Sequence, residues 1–123
     1  MDEAKKKILV VDDEEGINIL YKEELEDEGY EVLIARNGQE AVDFFTSTPL
    51  DLIVMDIKMP VMNGIEALRQ IKELKPDFPV ILCSAYGVYK QDFRSWACDE
   101  YVIKSSDLTE LKEAIRKHLR INN

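Results

Sequence analysis

The sequence predicts an α/β domain: a doubly wound, five-stranded parallel sheet in the order 2-1-3-4-5, with helices on both faces. Three observations carry this prediction. Short, wholly apolar runs recur, as in Ile8-Leu9-Val10-Val11, Leu52 to Met55 and Val80 to Cys83. They lack the polar alternation of a half-exposed strand and suit strands buried on both faces. Between them lie segments with apolar residues at helical spacing. Each run also stops abruptly at a polar residue, and the alternation implies right-handed crossovers between parallel strands.

In chain order, Lys5-Lys6-Lys7 leads into the first strand, which ends at Asp12-Asp13-Glu14-Glu15. Ile17, Leu20, Tyr21, Glu24 and Leu25 then follow a helical period, closed by Gly29. Glu14 and Glu15 suit a solvated helix start, where the dipole favours negative charge. Glu31 to Ala35 is the second strand and Asn37-Gly38 a turn. Ala41, Val42, Phe44 and Phe45 form a helix that ends before Pro49. The third strand, Leu52 to Met55, ends in Asp56; Pro60 and Asn63-Gly64 mark a loop. Ile65, Leu68, Ile71 and Leu74 form the next helical face, stopped at Pro76. Val80 to Cys83 is the fourth strand, ending in Ser84. Val88, Phe93 and Trp96 imply a helix over 87–97, with a poor period; Phe93 and Trp96 read as packing or partner surface. Tyr101-Val102-Ile103 is the fifth strand, ending in Lys104. Asp107 with Glu110 forms a capping box for a last helix with Leu108, Leu111, Ile115 and Leu119 on its apolar face and His118 exposed.

With 123 residues, 46% hydrophobic and 33% charged, the chain is expected to form one globular domain over 1–123, with its core at about 6–120. A net charge of −9 disfavours contact with nucleic acid or an anionic membrane surface. No apolar run is long enough to span a bilayer, and no secretory leader is evident. Cys83 and Cys98 lack metal-like spacing and read as reduced thiols of a cytoplasmic protein, Cys83 being inert in its strand.

The strand ends carry the chemistry. Asp12, Asp13, Asp56, Ser84 and Lys104 all fall at the carboxyl edge of the predicted sheet, where α/β sheets bind ligands. Taken alone, Asp56 fits either a ligand group or a loop cap bonded to nearby backbone N–H groups. Like charges about 4 Å apart repel by about 4 kcal/mol at an effective dielectric near 20. A proton or a bound cation relieves this. Oxygen ligands without His or Cys favour Mg²⁺, which can grip a phosphoryl oxygen. Ser84 can donate to a second oxygen and Lys104 can pair with a third. Such a site suits phosphoryl transfer, with the Asp56 carboxylate as acceptor.

These residues give the chain its resemblance. Val11-Asp12-Asp13, the run Asp56-x-x-Met59-Pro60-x-Met62-x-Gly64, Ser84-Ala85 and Tyr101-x-x-Lys104 resemble, in order, the receiver domain of bacterial two-component response regulators, a flavodoxin-like fold. The resemblance spans about residues 6–120. It implies that Asp56 is phosphorylated by a sensor histidine kinase or a histidine phosphotransfer protein. It implies that Asp13, Asp56 and the backbone carbonyl of Lys58 bind Mg²⁺, with Asp12 acting through a metal-bound water. Ser84 and Tyr101 would form a switch that repacks the face made by the predicted fourth helix, the fifth strand and the last helix. Without switching, Tyr101 reads as a buried aromatic.

The chain departs from the family where Ser105 follows Lys104 in place of proline, and Ser106 replaces an apolar residue. A non-proline cis bond costs about 2.5–4 kcal/mol, so the Lys104–Ser105 bond is expected to be trans. Ala97-Cys98 stands where glycine is common, implying a different end for the 87–97 helix. Lys58 and Tyr86 occupy positions that tune dephosphorylation in the family; a bulky Tyr86 and the lack of an amide at Lys58 imply a long-lived phosphoryl group.

Two readings of other classes compete. One is a constitutive, non-phosphorylated interaction domain of the same fold. The other, a flavin-binding flavodoxin, is disfavoured because Asp12 to Glu15 would repel a phosphate. A metal-dependent aspartyl phosphatase would carry Asp-x-Asp after the first strand, which is absent. Only Ile121-Asn122-Asn123 follows the last helix, so the expectation is a single-domain regulator acting on a downstream protein, or a fragment lacking its output domain. Homodimerisation through the switch face is a further expectation.

Overall fold

The computed structural model describes residues 4–85 and 98–119. Five strands, β1 (Lys7–Val11), β2 (Glu31–Ala35), β3 (Leu52–Met55), β4 (Val80–Ser84) and β5 (Glu100–Ile103), alternate with α1 (Glu15–Asp27), α2 (Gly38–Ser47), α3 (Gly64–Leu74) and, after β5, α4 (Thr109–Leu119). The strands form one parallel sheet in the order β2-β1-β3-β4-β5. The helix expected over 87–97, the Ala97 end of it and Tyr86 lie outside the described residues.

Alternate residues of each apolar strand enter opposite layers, as a strand's period of two requires. Ile8, Val10, Leu52, Val54, Ile81 and Cys83 pack with Tyr21 and Leu25 of α1 and Leu111 and Ile115 of α4. Leu9, Val11, Ile53, Met55, Val80 and Leu82 pack with Ala41 of α2 and Ala67, Leu68 and Ile71 of α3. Such two-sided burial is why these runs show no polar alternation.

Helix ends follow local chemistry. Gly29, at φ +99°, closes α1: its N–H bonds Glu26 O and the Tyr30 N–H bonds Leu25 O, a Schellman arrangement. Asn37 and Asn63 cap α2 and α3 by accepting from the N–H groups of Glu40 and Glu66, each at 2.9 Å. The Asn37-Gly38 turn is thus the start of α2. The Lys104–Ser105 bond is trans, as expected for serine after the lysine.

Four sequence expectations need correction. Leu20 is 37% exposed, because the buried stripe of α1 runs through Asn18, Tyr21 and Leu25. Leu74 is 62% exposed. It ends an 11-residue helix about 16 Å long, laid on a sheet whose central strand β3 spans about 13 Å. Asp107 forms no capping box: α4 begins at Thr109, whose N–H and hydroxyl both donate to Asp107, while the Asp107 N–H bonds Ser105 Oγ. His118 is half-buried, with Nε2 3.0 Å from Glu100 Oε1, because the last turn of α4 lies beside the start of β5.

Candidate functional site

The strand register sets the site. Val11 pairs with Ala35 on one side and Met55 on the other. One residue further on, the Asp12 N–H bonds Ala35 O and the Asp56 N–H bonds Val11 O at 2.9 Å. The ladder therefore runs past the last strand residues and fixes the two aspartates side by side. On the far strands, the Lys104 N–H bonds Ser84 O at 2.8 Å.

Asp12 and Asp56 are buried and Asp13 is exposed, yet one carboxylate oxygen from each lies within 4.8 Å of the others. Lys104 bridges the group from across the sheet. Its Nζ lies 2.6 Å from Asp12 Oδ2, 3.3 Å from Asp56 Oδ2 and 3.6 Å from Glu14 Oε1. The second oxygens are also held: Asp12 Oδ1 accepts from the Glu14 N–H and Asp56 Oδ1 from the Ile57 N–H. Asp56 thus caps its loop and faces the lysine at once, so the two readings left open for it are compatible.

Lys104 is shared among Asp12, Asp56 and Glu14, and the balance shows at Asp56 and at Lys104 itself. Burial pushes the Asp56 carboxyl above the usual aspartate range; Lys104 opposes this and the Asp12 charge adds to it. Burial alone would lower Lys104, but its hydrogen bond to Asp12 and the charges of Asp12 and Asp56 outweigh that and hold it above the ordinary lysine range. Behind the site, the Tyr21 hydroxyl lies 3.6 Å from Cys83 Sγ, and burial pushes the Cys83 thiol up to about 11. That thiol stays protonated and unreactive at neutral pH.

The loop after Asp56 is tightly seated. A Cβ on Gly64 would overlap the backbone carbonyl of Asp56, and one on Gly38 would overlap that of Met62. The Gly64 N–H bonds Ile57 O and the Gly38 N–H bonds Met62 O, both at 2.8 Å. Between these contacts Val61 is 82% exposed with φ +70°, a left-handed conformation unfavourable to a β-branched residue. A cleft of about 610 Å³ opens beside the carboxylates, lined by Asp13, Lys58, Met59 and Asn63 among others.

Of the sequence-derived site residues, Asp12, Asp13, Asp56 and Lys104 are brought together. Ser84 is fully buried at the end of β4, and Lys58 is exposed on the cleft wall. Tyr101 is 3% exposed, paired in register with Leu82 and packed in the layer that includes α2 and α3. Sequence reasoning missed Glu14 as a Lys104 partner and Asn18, whose Nδ2 donates to the Asp12 carbonyl at 2.8 Å. The signal for Asn18 was present, as a short polar residue three and seven positions before the buried Tyr21 and Leu25.

Fold and site together define a class: a small doubly wound α/β domain with an acidic triad and a lysine at the point where strand order reverses. The family model for the response regulator receiver domain matches residues 8–116, and the chain belongs to that family of two-component signalling domains. Response regulator protein TrrA from Thermotoga maritima, solved in complex with Mg²⁺–BeF, superposes with a TM-score of 0.89 at 50% identity, covering 93% of this chain and 99% of TrrA. TrrA in complex with histidine kinase ThkA gives a TM-score of 0.86 at 50% identity, covering 93% and 98%. Sporulation initiation phosphotransferase F of Bacillus subtilis is 36% identical over 119 residues, covering 95% of this chain and 96% of that protein. The alkaline phosphatase synthesis transcriptional regulatory protein PhoP of the same species is 44% identical over 120 residues, but this chain spans only 49% of it. Among the described residues, no helix is long and apolar enough to cross a membrane.

Proposed function

We propose that residues 1–123 act as one receiver domain, a phosphorylation-controlled switch in the cytoplasm, with Asp56 as its acceptor. The observation that carries this reading is the convergence of three carboxylates within 4.8 Å of one another, two of them ion-paired with Lys104. The donors are oxygens only, a set that fits Mg²⁺. Asp13, Asp56 and the Lys58 backbone carbonyl would hold the ion, with Asp12 acting through a bound water. When bound, it neutralises charge on the phosphoryl oxygens. The TrrA complex with Mg²⁺–BeF supports this assignment, and the TrrA complex with ThkA supports a sensor histidine kinase as donor. A histidine phosphotransfer protein offers the same phosphohistidine chemistry.

In the reaction, a carboxylate oxygen of Asp56 attacks the phosphorus of the donor phosphohistidine. The P–N bond breaks, the imidazole leaves with its electron pair, and an acyl phosphate forms on Asp56. Lys104, already 3.3 Å from Asp56, pairs with a phosphoryl oxygen as charge builds there. Ser84 donates to another oxygen, and its movement lets Tyr101 repack, carrying the signal to a downstream protein or a second copy of the chain. Its chemistry is its own phosphorylation from a phosphodonor and its own dephosphorylation, the latter slowed by Tyr86 and by the absence of a water-positioning amide at Lys58.

Incubation with acetyl phosphate and Mg²⁺, read by intact mass, tests the reading. One phosphoryl adduct is expected, lost in Asp56→Asn and without metal. No adduct, together with no binding of beryllofluoride, would instead favour a constitutive interaction domain.

A further inference from the structure

Among the described residues four polar side chains are buried: Asp12, Asn18, Asp56 and Ser84. Three end a strand at the site. Asn18 lies on α1 and is 2% exposed. Its Nδ2 donates to the backbone carbonyl of Asp12 at 2.8 Å, while its Oδ1 is buried without a hydrogen-bond partner. Turning the amide over would set Oδ1 against the Asp12 carbonyl oxygen, so the orientation is fixed by chemistry.

The bond falls at a sensitive place. The Asp12 carbonyl belongs to the peptide that joins Asp12 to Asp13, and a peptide unit is planar. Holding its oxygen sets the plane in which the chain leaves β1 and the direction in which Asp13 projects. The other polar atoms of Asp12 are held by Ala35 O, the Glu14 N–H and Lys104. Asn18 completes this frame from the first turns of α1, where its own N–H bonds Glu14 O at 3.2 Å. An unpartnered buried acceptor is unfavourable, and an apolar side chain of similar size would avoid it. Such a side chain would also strip the Asp12 carbonyl of its partner, so the distinctive contribution of the carboxamide is to fix the direction of that carbonyl.

We propose that Asn18 is a positioning residue of the cation site: it orients the Asp12–Asp13 peptide so that Asp13 meets the metal and Asp12 its bound water. This rests on the reading of Asp12, Asp13 and Asp56 as the Mg²⁺ site.

Mg²⁺ titrations of wild type, Asn18→Leu and Asn18→Ala, followed by ¹H–¹⁵N NMR below each protein's unfolding range, test it. Metal-free thermal melts run beside them. The expected result is a half-saturating Mg²⁺ concentration about tenfold higher in the variants, the scale of lost support behind metal ligands, while the melts report separately what losing the Asp12 carbonyl's donor does to stability. Half-saturation within twofold of wild type overturns the proposal, and a lowered melting temperature with that result identifies Asn18 as merely structural. Should Asn18→Leu not fold, Asn18→Ala decides by the same criterion. A wild type that binds no Mg²⁺ overturns the site reading itself, an outcome distinct from equal binding by all three proteins.

Discussion

The two edges of the sheet use the same ingredients to opposite ends. At the amino edge, Lys72 of α3 donates to Pro76 O, Phe78 O and Asp99 Oδ2, and that oxygen also accepts from the Val80 N–H at 2.8 Å. Asp51 Oδ2 likewise accepts from the Lys7 N–H at 2.7 Å. There the Lys72 charge meets one carboxylate and two carbonyls, and the Asp51 carboxylate meets a backbone N–H. At the carboxyl edge, Lys104 is shared among Asp12, Asp56 and Glu14, with Asp13 alongside. One edge is balanced and ties helix to strand. The other holds an excess of negative charge on rigid backbone, and carries strain at Val61 as well. Unfavourable electrostatics of this kind mark a site shaped for a ligand rather than for stability.

The largest expected effect lies at the balanced edge. Lys72→Met leaves Asp99 and two carbonyls without their cation at a side chain only 12% exposed, and should lower stability by about 2–3 kcal/mol in urea titration. An unchanged midpoint would mean that this edge is not held by its ion pair.

At the acidic edge the sign reverses. Burial and Asp12 raise the Asp56 carboxyl, so ionising it is harder in the folded chain than in the unfolded one. The penalty is absent below the unfolded value, near pH 3.9, grows as pH rises through the folded value, and is then full. Asp56→Asn should therefore stabilise the metal-free protein at neutral pH by about 1 kcal/mol, a shift of several degrees in Tm. The gain should vanish in melts at about pH 3. A gain that persists in acid would point to packing instead of charge.

The smallest effect belongs to the strained loop. A left-handed valine costs about 1–2 kcal/mol, part of which glycine returns as unfolded-state entropy, so Val61→Gly should stabilise by about 0.5 kcal/mol. Calorimetric melts showing destabilisation would remove Val61 from the strained side of the comparison.

Much of this was legible in the sequence, for a physical reason. A strand buried on both faces must be apolar throughout, so the polar residue that ends it stands out, and the strand order brings those ends together. Asp12, Asp13, Asp56 and Lys104 could be read in that way. Pairings between distant segments could not, since they depend on how helices sit on the sheet. Glu14 reaching Lys104, His118 meeting Glu100 and the Lys72–Asp99 tie belong to this group. Asn18 escaped because the α1 stripe was traced through Ile17, Leu20, Tyr21, Glu24 and Leu25, which admitted Leu20 and passed over the one polar member of the buried face. Nothing in a valine's chemistry announces a positive φ; Pro60 and Asn63-Gly64 marked only that a loop was there.

The loop from Asp56 to Gly64 has no slack. It leaves β3 at a carbonyl against which Gly64 is seated, and its far side is stitched to Gly38 at the head of α2. The backbone of Asp56 is thus in direct contact with the first turn of α3 and, through Met62, with that of α2. In mechanical language, the proposed acceptor sits at the short arm of a stiff lever whose long arms are α2 and α3.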